Sequence, residues 1–404
     1  MRWRPRFTLR TLLIATGILG LLFGWLGTNV ARIHRQRHAV AALQALGFNV
    51  YYDYELDGGK LVAGKTPFGW KPFRLIAGDD AFSTVVAVQQ GTASPRTTDS
   101  DLSILGQLPE LTDIWLGGRG ITDEGAASLT CVHKLRCVGL ADTNVTSVGL
   151  AKLKSCPHLI SLSLEGTSVT DETLSGLSEL TTLEWLQLIQ VAATSHGMKN
   201  LAGLGRLKGL EVFPAAFVDD DALAQLSGLT ELERLQFVNS TVGDAGLEHL
   251  RGLSKLRSLS LWGAQISDFA VATDLPGLRL LQLNGTKVDD RGVAAMGKLD
   301  HLEYLDLSEA KITDDAVETL ASMKELQSLH IDRTAVSDAA IGRLAELQNL
   351  KLLMLGPNVS ETAAIDLKKR MPHCAIERVD DSSAIVDVGL PSVNAQSATP
   401  GATQ

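Results

Sequence analysis

The sequence predicts an α/β solenoid of short strands and helices, preceded by a transmembrane helix at the amino terminus. Two observations carry this prediction. Eleven segments of the chain follow one pattern, LxxLxLxxTxVTDxGLxxLxxLxx, mostly at the spacing that separates Leu302 from Leu326, and a long uncharged stretch separates Arg10 from Arg32. Because each unit of a fixed-period repeat buries its apolar face only against its neighbours, such a repeat predicts stacked coils.

The uncharged stretch, residues 11–31, follows a basic flank at residues 1–10 and reads TLLIATGILGLLFGWLGTNVA. As a helix rising about 1.5 Å per residue it spans roughly 31 Å, close to the thickness of the hydrocarbon core. We interpret it as an uncleaved single-pass anchor. The alternative, a cleaved signal peptide, needs a small-residue cleavage site, for which Asn29-Val30-Ala31 is a weak candidate.

The flanking arginines give a weak indication of orientation. Four precede the apolar stretch and three follow it. The positive-inside rule therefore favours a cytoplasmic amino terminus and a body outside the cytoplasm, attached to the cell membrane.

Four glycines repeat along one face of the predicted anchor: Gly17, Gly20, Gly24 and Gly27. Small residues let helix backbones approach closely in lipid, so this stripe is a candidate homodimer contact. Glycine is also common in membrane helices in general, which leaves dimerisation open.

The charge distribution argues against nucleic-acid binding. Seven of the 37 lysines and arginines lie in residues 1–38, which contain no acid, so the rest of the chain holds 30 bases against 46 acids. A nucleic-acid backbone requires a basic surface, which this acidic body does not provide.

Residues 32–106 are interpreted as a juxtamembrane helix ending at Gly47, a hairpin turning at residues 57–59, and a degenerate repeat that begins at Val85. Solenoids require a cap over the first coil, which is the function we favour for this segment. Its many aromatic residues leave open a membrane-surface or partner patch.

One stretch of this segment matches a nucleotide-binding motif in sequence only. Residues 59–66, GKLVAGKT, match the phosphate-binding loop GxxxxGK[ST]. Pro67, Gly69 and Pro72 follow at once, so the long helix that such a loop requires is not expected. A nucleotide-binding protein is therefore the least favoured function.

The repeats occupy residues 107–371. Taking the first leucine of each unit as the mark, they begin at Leu111, Leu135, Leu159, Leu183, Leu210, Leu232, Leu256, Leu278, Leu302, Leu326 and Leu350. Apolar residues three and five positions later predict a half-buried strand. An aspartate twelve positions later is expected to be the N-cap of a helix: Asp123, Asp171, Asp244, Asp268, Asp290, Asp314 and Asp338. Because caps fall one per coil, we do not expect these carboxylates to form a metal site.

This pattern resembles the leucine-rich repeat family, and the TDxGL-like stretches at Thr122 and Gly243 look like its cysteine-containing subclass. The resemblance implies a right-handed solenoid with a parallel sheet on the concave side and helices on the convex side. Thr143, Thr167, Thr286 and Thr334 replace the usual Asn or Cys, which puts the subclass in doubt. The anchor followed by HAVAALQALGFNVYYDYE also resembles single-pass bacterial proteins of this family, which implies little beyond binding.

Strand residues that point away from the core would line the concave face. The fourth unit, counted from Leu183 to Leu210, and the fifth, counted from Leu210 to Leu232, depart most from the pattern. The candidate ligand-binding residues are Trp115, Trp185, Ile189, Val212, Arg234, Gln236, Val238, Trp262, Leu280 and Tyr304. Exposed apolar patches with aromatic and arginine anchors are typical of interaction sites. The alternative is ordinary surface variation in units that have drifted.

No catalytic residue, cofactor or metal site is predicted. Cys131 and Cys156 lie nearly one repeat apart, so they could form a disulfide, although buried free thiols are the favoured interpretation. Residues 372–381 are expected to cap the solenoid, and residues 382–404, rich in Ser, Ala, Pro and Gly, to form a flexible tail.

The sequence therefore predicts a non-enzymatic, membrane-anchored protein that binds a protein or polymer ligand on its concave sheet. The alternative is a cytoplasm-facing scaffold or adaptor, because similar repeats read substrates in ubiquitin ligase subunits. No F-box-like segment precedes these repeats, which counts against that alternative.

Overall fold

The structure is a computed structural model that describes residues 16–17, 30–57, 60–61, 65, 83–91, 97–166, 168–380 and 385–387. The chain folds as two compact units, Met1–Leu183 and Glu184–Gln404.

In the first unit a helix covers residues 30–45. The helix stops at Gly47, whose φ of 80° is left-handed and favours glycine. Ala39 and Leu43 are fully buried. The side-chain amide of Gln36, which is also buried, donates to the carbonyl of Ser83 at 3.0 Å and accepts from a backbone N–H at 3.3 Å. Apolar packing and these hydrogen bonds therefore fix the helix against the start of the sheet.

Strand β1, Phe48–Tyr52, runs antiparallel to β4, Val85–Gln90. Between them β2, Leu56–Asp57, pairs antiparallel with β3, Lys60–Leu61, and the rest of the predicted turn, residues 58–59, lies outside the described residues. Because β1 pairs with the first edge of β4, that edge is not left open for association with another chain.

The repeats of the first unit add three strands to β4 in chain order. These are β5, Asp113–Gly117, β6, Cys137–Ala141, and β7, Ser161–Glu165. All pair in parallel, and buried residues of successive strands stand opposite each other, as Ile114, Val138 and Leu162 do. This register stacks one apolar row of each coil on the same row of the next.

The second unit continues the pattern with parallel strands in chain order and one antiparallel strand at the end. They are β8, Trp185–Ile189, β9, Gly209–Phe213, β10, Arg234–Phe237, β11, Ser258–Ser260, β12, Leu280–Gln282, β13, Tyr304–Asp306, β14, Ser328–Ile331, β15, Leu352–Leu355, β16, Ala375–Val379, and β17, Ile385–Asp387. Strand β17 forms part of the sheet although the sequence predicts a flexible tail from residue 382 onward.

Short helices return the chain from each strand to the next. The α-helices are Asp123–Ser128, Ser147–Lys152, Asp171–Ser175, Asp220–Gln225, Asp244–Leu247, Asp290–Met296, Ala316–Ser322 and Glu361–Arg370. The 3₁₀ helices are Asp53–Glu55, Asp99–Gln107, Leu129–Cys131, Leu153–Ser155, Gly176–Glu179, Ser195–Leu201, Glu248–Leu250, Ala270–Asp274 and Ile341–Glu346. In each unit the buried residues of these helices and the inward strand residues form the core.

The strand register corrects the predicted start of the fifth repeat. Strand β9 pairs with β8 so that Leu186 stands opposite Leu210, which makes Leu207 the counterpart of Leu183. The fourth repeat therefore has the same length as most of the others, and the irregular lengths of the fourth and fifth units derived from Leu210 are wrong. Ala193, which is buried, takes the Val/Ile position of the fourth repeat.

The sequence predicts that the repeated aspartates are the N-caps of their own helices, and this prediction is wrong. Asp123, for example, is the first residue of its helix, and Thr122 is the N-cap. In five coils the aspartate carboxylate instead accepts hydrogen bonds from the Thr or Ser that stands one position before the equivalent site of the following coil. Both the N–H and the hydroxyl of that residue donate, at 2.6–2.8 Å, in the pairs Asp99–Thr122, Asp123–Thr146, Asp244–Ser267, Asp290–Thr313 and Asp314–Ser337.

Two of the threonines that stand where the resembled family usually has Asn or Cys, Thr286 and Thr334, are buried and hydrogen-bonded within the turn. Thr286 and Thr334 donate to the carbonyls of Leu283 and Ile331 at 2.5 and 2.7 Å. A hydroxyl therefore satisfies one buried carbonyl locally. Asn358, at the same position, reaches the carbonyl of Thr334 in the preceding coil.

Several predictions fall on residues that the structure leaves undescribed. The predicted anchor, residues 11–31, lies outside the described residues except for 16–17 and 30–31, and so do Gly20, Gly24 and Gly27. No helix in the described part of the chain is both long enough and apolar enough to cross a bilayer. In the loop that resembles a phosphate-binding loop, residues 60–61 are strand β3, and the structure describes no others except Lys65.

Candidate functional site

Strand residues that point away from the core form a solvent-facing surface in each unit, called here the open face. Nine of the ten sequence-predicted residues lie on it. Trp115 is in the first unit, and the second unit holds Trp185, Ile189, Arg234, Gln236, Val238, Trp262, Leu280 and Tyr304.

Val212 is the exception, because it is fully buried with 0% exposure. Because the fifth repeat was taken to start at Leu210, Val212 was predicted to point outward when it points into the core. A one-residue change of alternation moves a side chain from one face of a sheet to the other. Its neighbours Glu211 and Phe213 point outward instead and were missed.

The indole of Trp185 lies over Gly209 of the next strand. A Cβ atom built on Gly209 would come within 2.1 and 2.2 Å of the ring atoms Cε3 and Cζ3. Arg234, which pairs with Gly209 from the other side, places its guanidinium carbon 5.5 Å from the centroid of the same ring. The glycine therefore leaves the space in which a cation–π contact forms across two strands.

Glu211 connects this pair to the neighbouring polar row. Its carboxylate lies 3.6 Å from the guanidinium of Arg234 and accepts a hydrogen bond of 3.1 Å from the amide of Gln187. The side chain of Arg234 remains half exposed. The cluster thus holds an arginine in a fixed position while leaving part of its guanidinium available to a ligand.

Beside this cluster, the last outward position of four consecutive strands or strand ends is apolar. The row reads Ile189, Phe213, Val238 and Trp262. The first three are half-buried, and Trp262 is 47% exposed. An exposed aromatic residue at the end of an apolar row, on the same face as an ordered arginine, has the composition of an interface hot spot.

A second cluster surrounds His330 further along the second unit. Its Nε2 lies 3.1 Å from the hydroxyl of Ser328, and its Nδ1 lies 3.5 Å from the phenol oxygen of Tyr304 and 3.9 Å from the carboxylate of Asp306. Burial, with the nearby Asp306 charge adding to it, raises the pKa of Tyr304, so the phenol stays protonated. The 3.9 Å separation exceeds a hydrogen bond, so the serine, histidine and aspartate do not form a proton relay.

The first unit contains a cavity of about 1000 Å³ at the carboxyl ends of β4 to β7. Trp115, 39% exposed, forms one wall, and its ring lies over Gly139, where a Cβ atom would come within 2.4 Å of Cδ1. Four of the outward residues around it are small: Gly117, Gly139, Ala141 and Ser163. Because they fill little space beside a tryptophan, the open face is recessed there.

The cysteines show no activation. Burial raises the pKa of Cys137 to about 12, with Asp113 adding to the effect, and burial also raises the pKa of Cys156 to about 11. Both stay protonated at neutral pH, whereas a nucleophilic cysteine needs a lowered pKa. Cys131 and Cys156, the predicted candidates for a disulfide, are free thiols. Among the described residues, no group of three His, Cys, Asp or Glu side chains is arranged to hold a metal ion.

The sequence contained a signal for the two glycines beneath the tryptophans, which the sequence prediction did not include. The position one repeat after Trp115 is occupied by Gly139, and the position one repeat after Trp185 by Gly209. Aligning outward positions between successive repeats would have placed each glycine beneath its tryptophan.

Comparison with known proteins agrees with this architecture. Residues 298–321, which contain strand β13, match the family model described as Leucine Rich repeat. No curated protein sequence matches the chain.

Three solved structures are similar to this chain to different degrees. An internalin, InlF, from Listeria monocytogenes is similar with a TM-score of 0.54 and 22% identity over 70% of this chain and 77% of that chain. The plant peptide hormone receptor RGFR1 in complex with RGF2 gives 0.42 and 14%, over 69% of this chain and 49% of the receptor. A leucine-rich repeat protein of Leptospira interrogans gives 0.33 and 17%, over 68% and 91%.

At these identities the internalin demonstrates a shared fold and nothing more. The chain therefore has the leucine-rich repeat fold, and residues 298–321 match the leucine-rich repeat family model.

Proposed function

We propose that this protein is a membrane-anchored leucine-rich repeat binding protein, and that the open face of its second unit recognises a protein ligand. The observation that carries the proposal is the apolar row from Ile189 to Trp262 on the same open face as the fixed Trp185–Arg234 pair. Exposed aromatic residues and arginines supply most of the binding energy in protein interfaces.

The anchor is proposed from the sequence alone. The uncharged residues 11–31 are long enough to span a bilayer, and the arginine distribution favours a body outside the cytoplasm. The glycine stripe from Gly17 to Gly27 is proposed to pair two copies in lipid. Replacing Gly20 and Gly24 by leucine should abolish chemical cross-linking between copies, and unchanged cross-linking would contradict the pairing.

Ligand recognition is tested by affinity capture with the full-length chain. Trp185→Ala combined with Trp262→Ala should remove the captured protein without lowering the thermal stability of the bait. Ile365→Ala is the matched control, because Ile365 is an exposed apolar residue, at 38%, on the helix Glu361–Arg370. Equal capture by the double variant and wild type would contradict the assignment of the ligand to this face.

Orientation is tested separately by protease treatment of intact cells. Cleavage of the repeats without lysis would support a body outside the cytoplasm. Complete protection, with cleavage only after lysis, would favour a cytoplasm-facing scaffold instead.

A further inference from the structure

We propose that the cavity of the first unit is a binding site for a neutral oligosaccharide, a function beyond protein recognition by the second unit. The cavity is at the upper end of the size range of small-molecule sites and opens at the ends of β4 to β7.

The platform for a sugar ring is the indole of Trp115. The ring lies against Gly139, so one face is supported by the sheet while 39% of the residue stays exposed. The C–H groups on one side of a pyranose ring form an apolar surface with slight positive charge, which matches the negative face of an indole. The small residues around the tryptophan leave room for the ring to lie flat.

Hydrogen-bonding groups surround this platform. The side-chain oxygens of Gln89 and Gln90 already accept hydrogen bonds, from Tyr51 at 3.2 Å and from the N–H of Gly117 at 2.8 Å. Their amide NH₂ groups are therefore the donors that these two lining residues offer a ligand. The carboxylate of Glu165, also in the lining, supplies an acceptor. Donors and acceptors beside an aromatic platform suit the many hydroxyl groups of a sugar.

The charges of the lining favour a neutral ligand. Asp142 and Glu165 face one cation, Arg119, and the structure gives none of the three an ion pair with another described residue. An acidic glycan would meet a net negative surface, whereas a neutral sugar is not repelled.

The test is isothermal titration of the full-length protein with cellohexaose, in a detergent without a sugar headgroup. Trp115→Ala should weaken binding roughly tenfold or more, and Trp115→Phe should retain part of it. Trp262→Ala is the matched control, because it removes an exposed tryptophan of the second unit and should leave the affinity unchanged.

Four results would overturn the proposal. They are the absence of cellohexaose binding at millimolar concentration, equal affinity of wild type and Trp115→Ala, tighter binding of hexagalacturonate than of cellohexaose, and binding of a random pentapeptide mixture in place of the sugar. None depends on whether the second unit captures a protein.

Discussion

Substitution of Asp290 measures how much the hydrogen bonds between neighbouring coils contribute to the free energy of unfolding. The Asp290 carboxylate accepts hydrogen bonds from the N–H and the hydroxyl of Thr313, each 2.7 Å long. Both residues are exposed enough for water to replace the lost partner, so each bond is assigned about 1 kcal/mol, below the usual range for charged groups. Asp290→Ala should therefore lower the free energy of unfolding by about 2 kcal/mol.

A double-mutant cycle separates this interaction from other effects of the substitution. Thr313→Val removes the hydroxyl but keeps the N–H, and should cost about 1 kcal/mol. The combined variant should show a coupling energy of about 1 kcal/mol, because the hydroxyl bond is lost only once. Urea unfolding followed by circular dichroism measures each value.

Asp300→Ala is the control, since Asp300 is exposed and makes no hydrogen bond with its side chain in the described part of the chain. If Asp290→Ala costs no more than Asp300→Ala, or if the coupling energy is zero, the carboxylates do not contribute to stability between coils. Apolar burial alone would then hold the stack together.

Further predictions concern acid stability, packing and register. Hydrogen bonds from the Ser360 hydroxyl and N–H lower the pKa of Asp338 below its ordinary 3.8. Burial acts to raise the pKa of Asp244, but hydrogen bonds from Asp268 and Ser267 outweigh burial and lower this pKa as well. A lowered folded-state pKa stabilises the fold above the unfolded value, so stability should fall as the pH drops below about 4, and Asp338→Asn should flatten that dependence in urea titrations. Gly209→Ala should displace the Trp185 ring, changing its near-ultraviolet circular dichroism and costing about 1–3 kcal/mol, whereas an unchanged spectrum would mean that the ring does not rest there. Leu207→Ala should cost about 2–5 kcal/mol because Leu207 is fully buried, and a cost below that of Phe213→Ala would contradict the corrected register.

Much of the fold could be predicted because the core positions repeat. An inward strand residue must be apolar in every coil, so leucines such as Leu302 and Leu326 recur at a spacing that sequence alone shows. The predicted start of the fifth repeat was wrong because Leu207 and Leu210 are close together in the chain, and each can start an LxxL pattern. The number of residues from Leu183 to Leu207 equals the number from Leu302 to Leu326. This equal spacing indicates that Leu207, and not Leu210, starts the fifth repeat.

The role of the aspartates could not be predicted from local sequence. An aspartate before an apolar i, i+3 pair has the signature of an N-cap, and only the position of the next coil shows a different partner. In the structure the preceding threonine caps the helix, as Thr122 does, while Asp123 binds Thr146 of the following coil. The Thr-Asp pair thus serves two coils at once.

The open faces were the least predictable part, because solvent-facing positions are not constrained by packing in the way that core positions are. Trp115, Trp185 and Trp262 each have a glycine near the equivalent position of the next coil, but for two different reasons. Gly285, beside Trp262, has a φ of 70°, so its backbone conformation alone accounts for glycine. Gly139 and Gly209 lie within strands, where glycine is unfavourable, and a Cβ there would collide with the neighbouring indole. The ring, and not the backbone, explains glycine at these two positions.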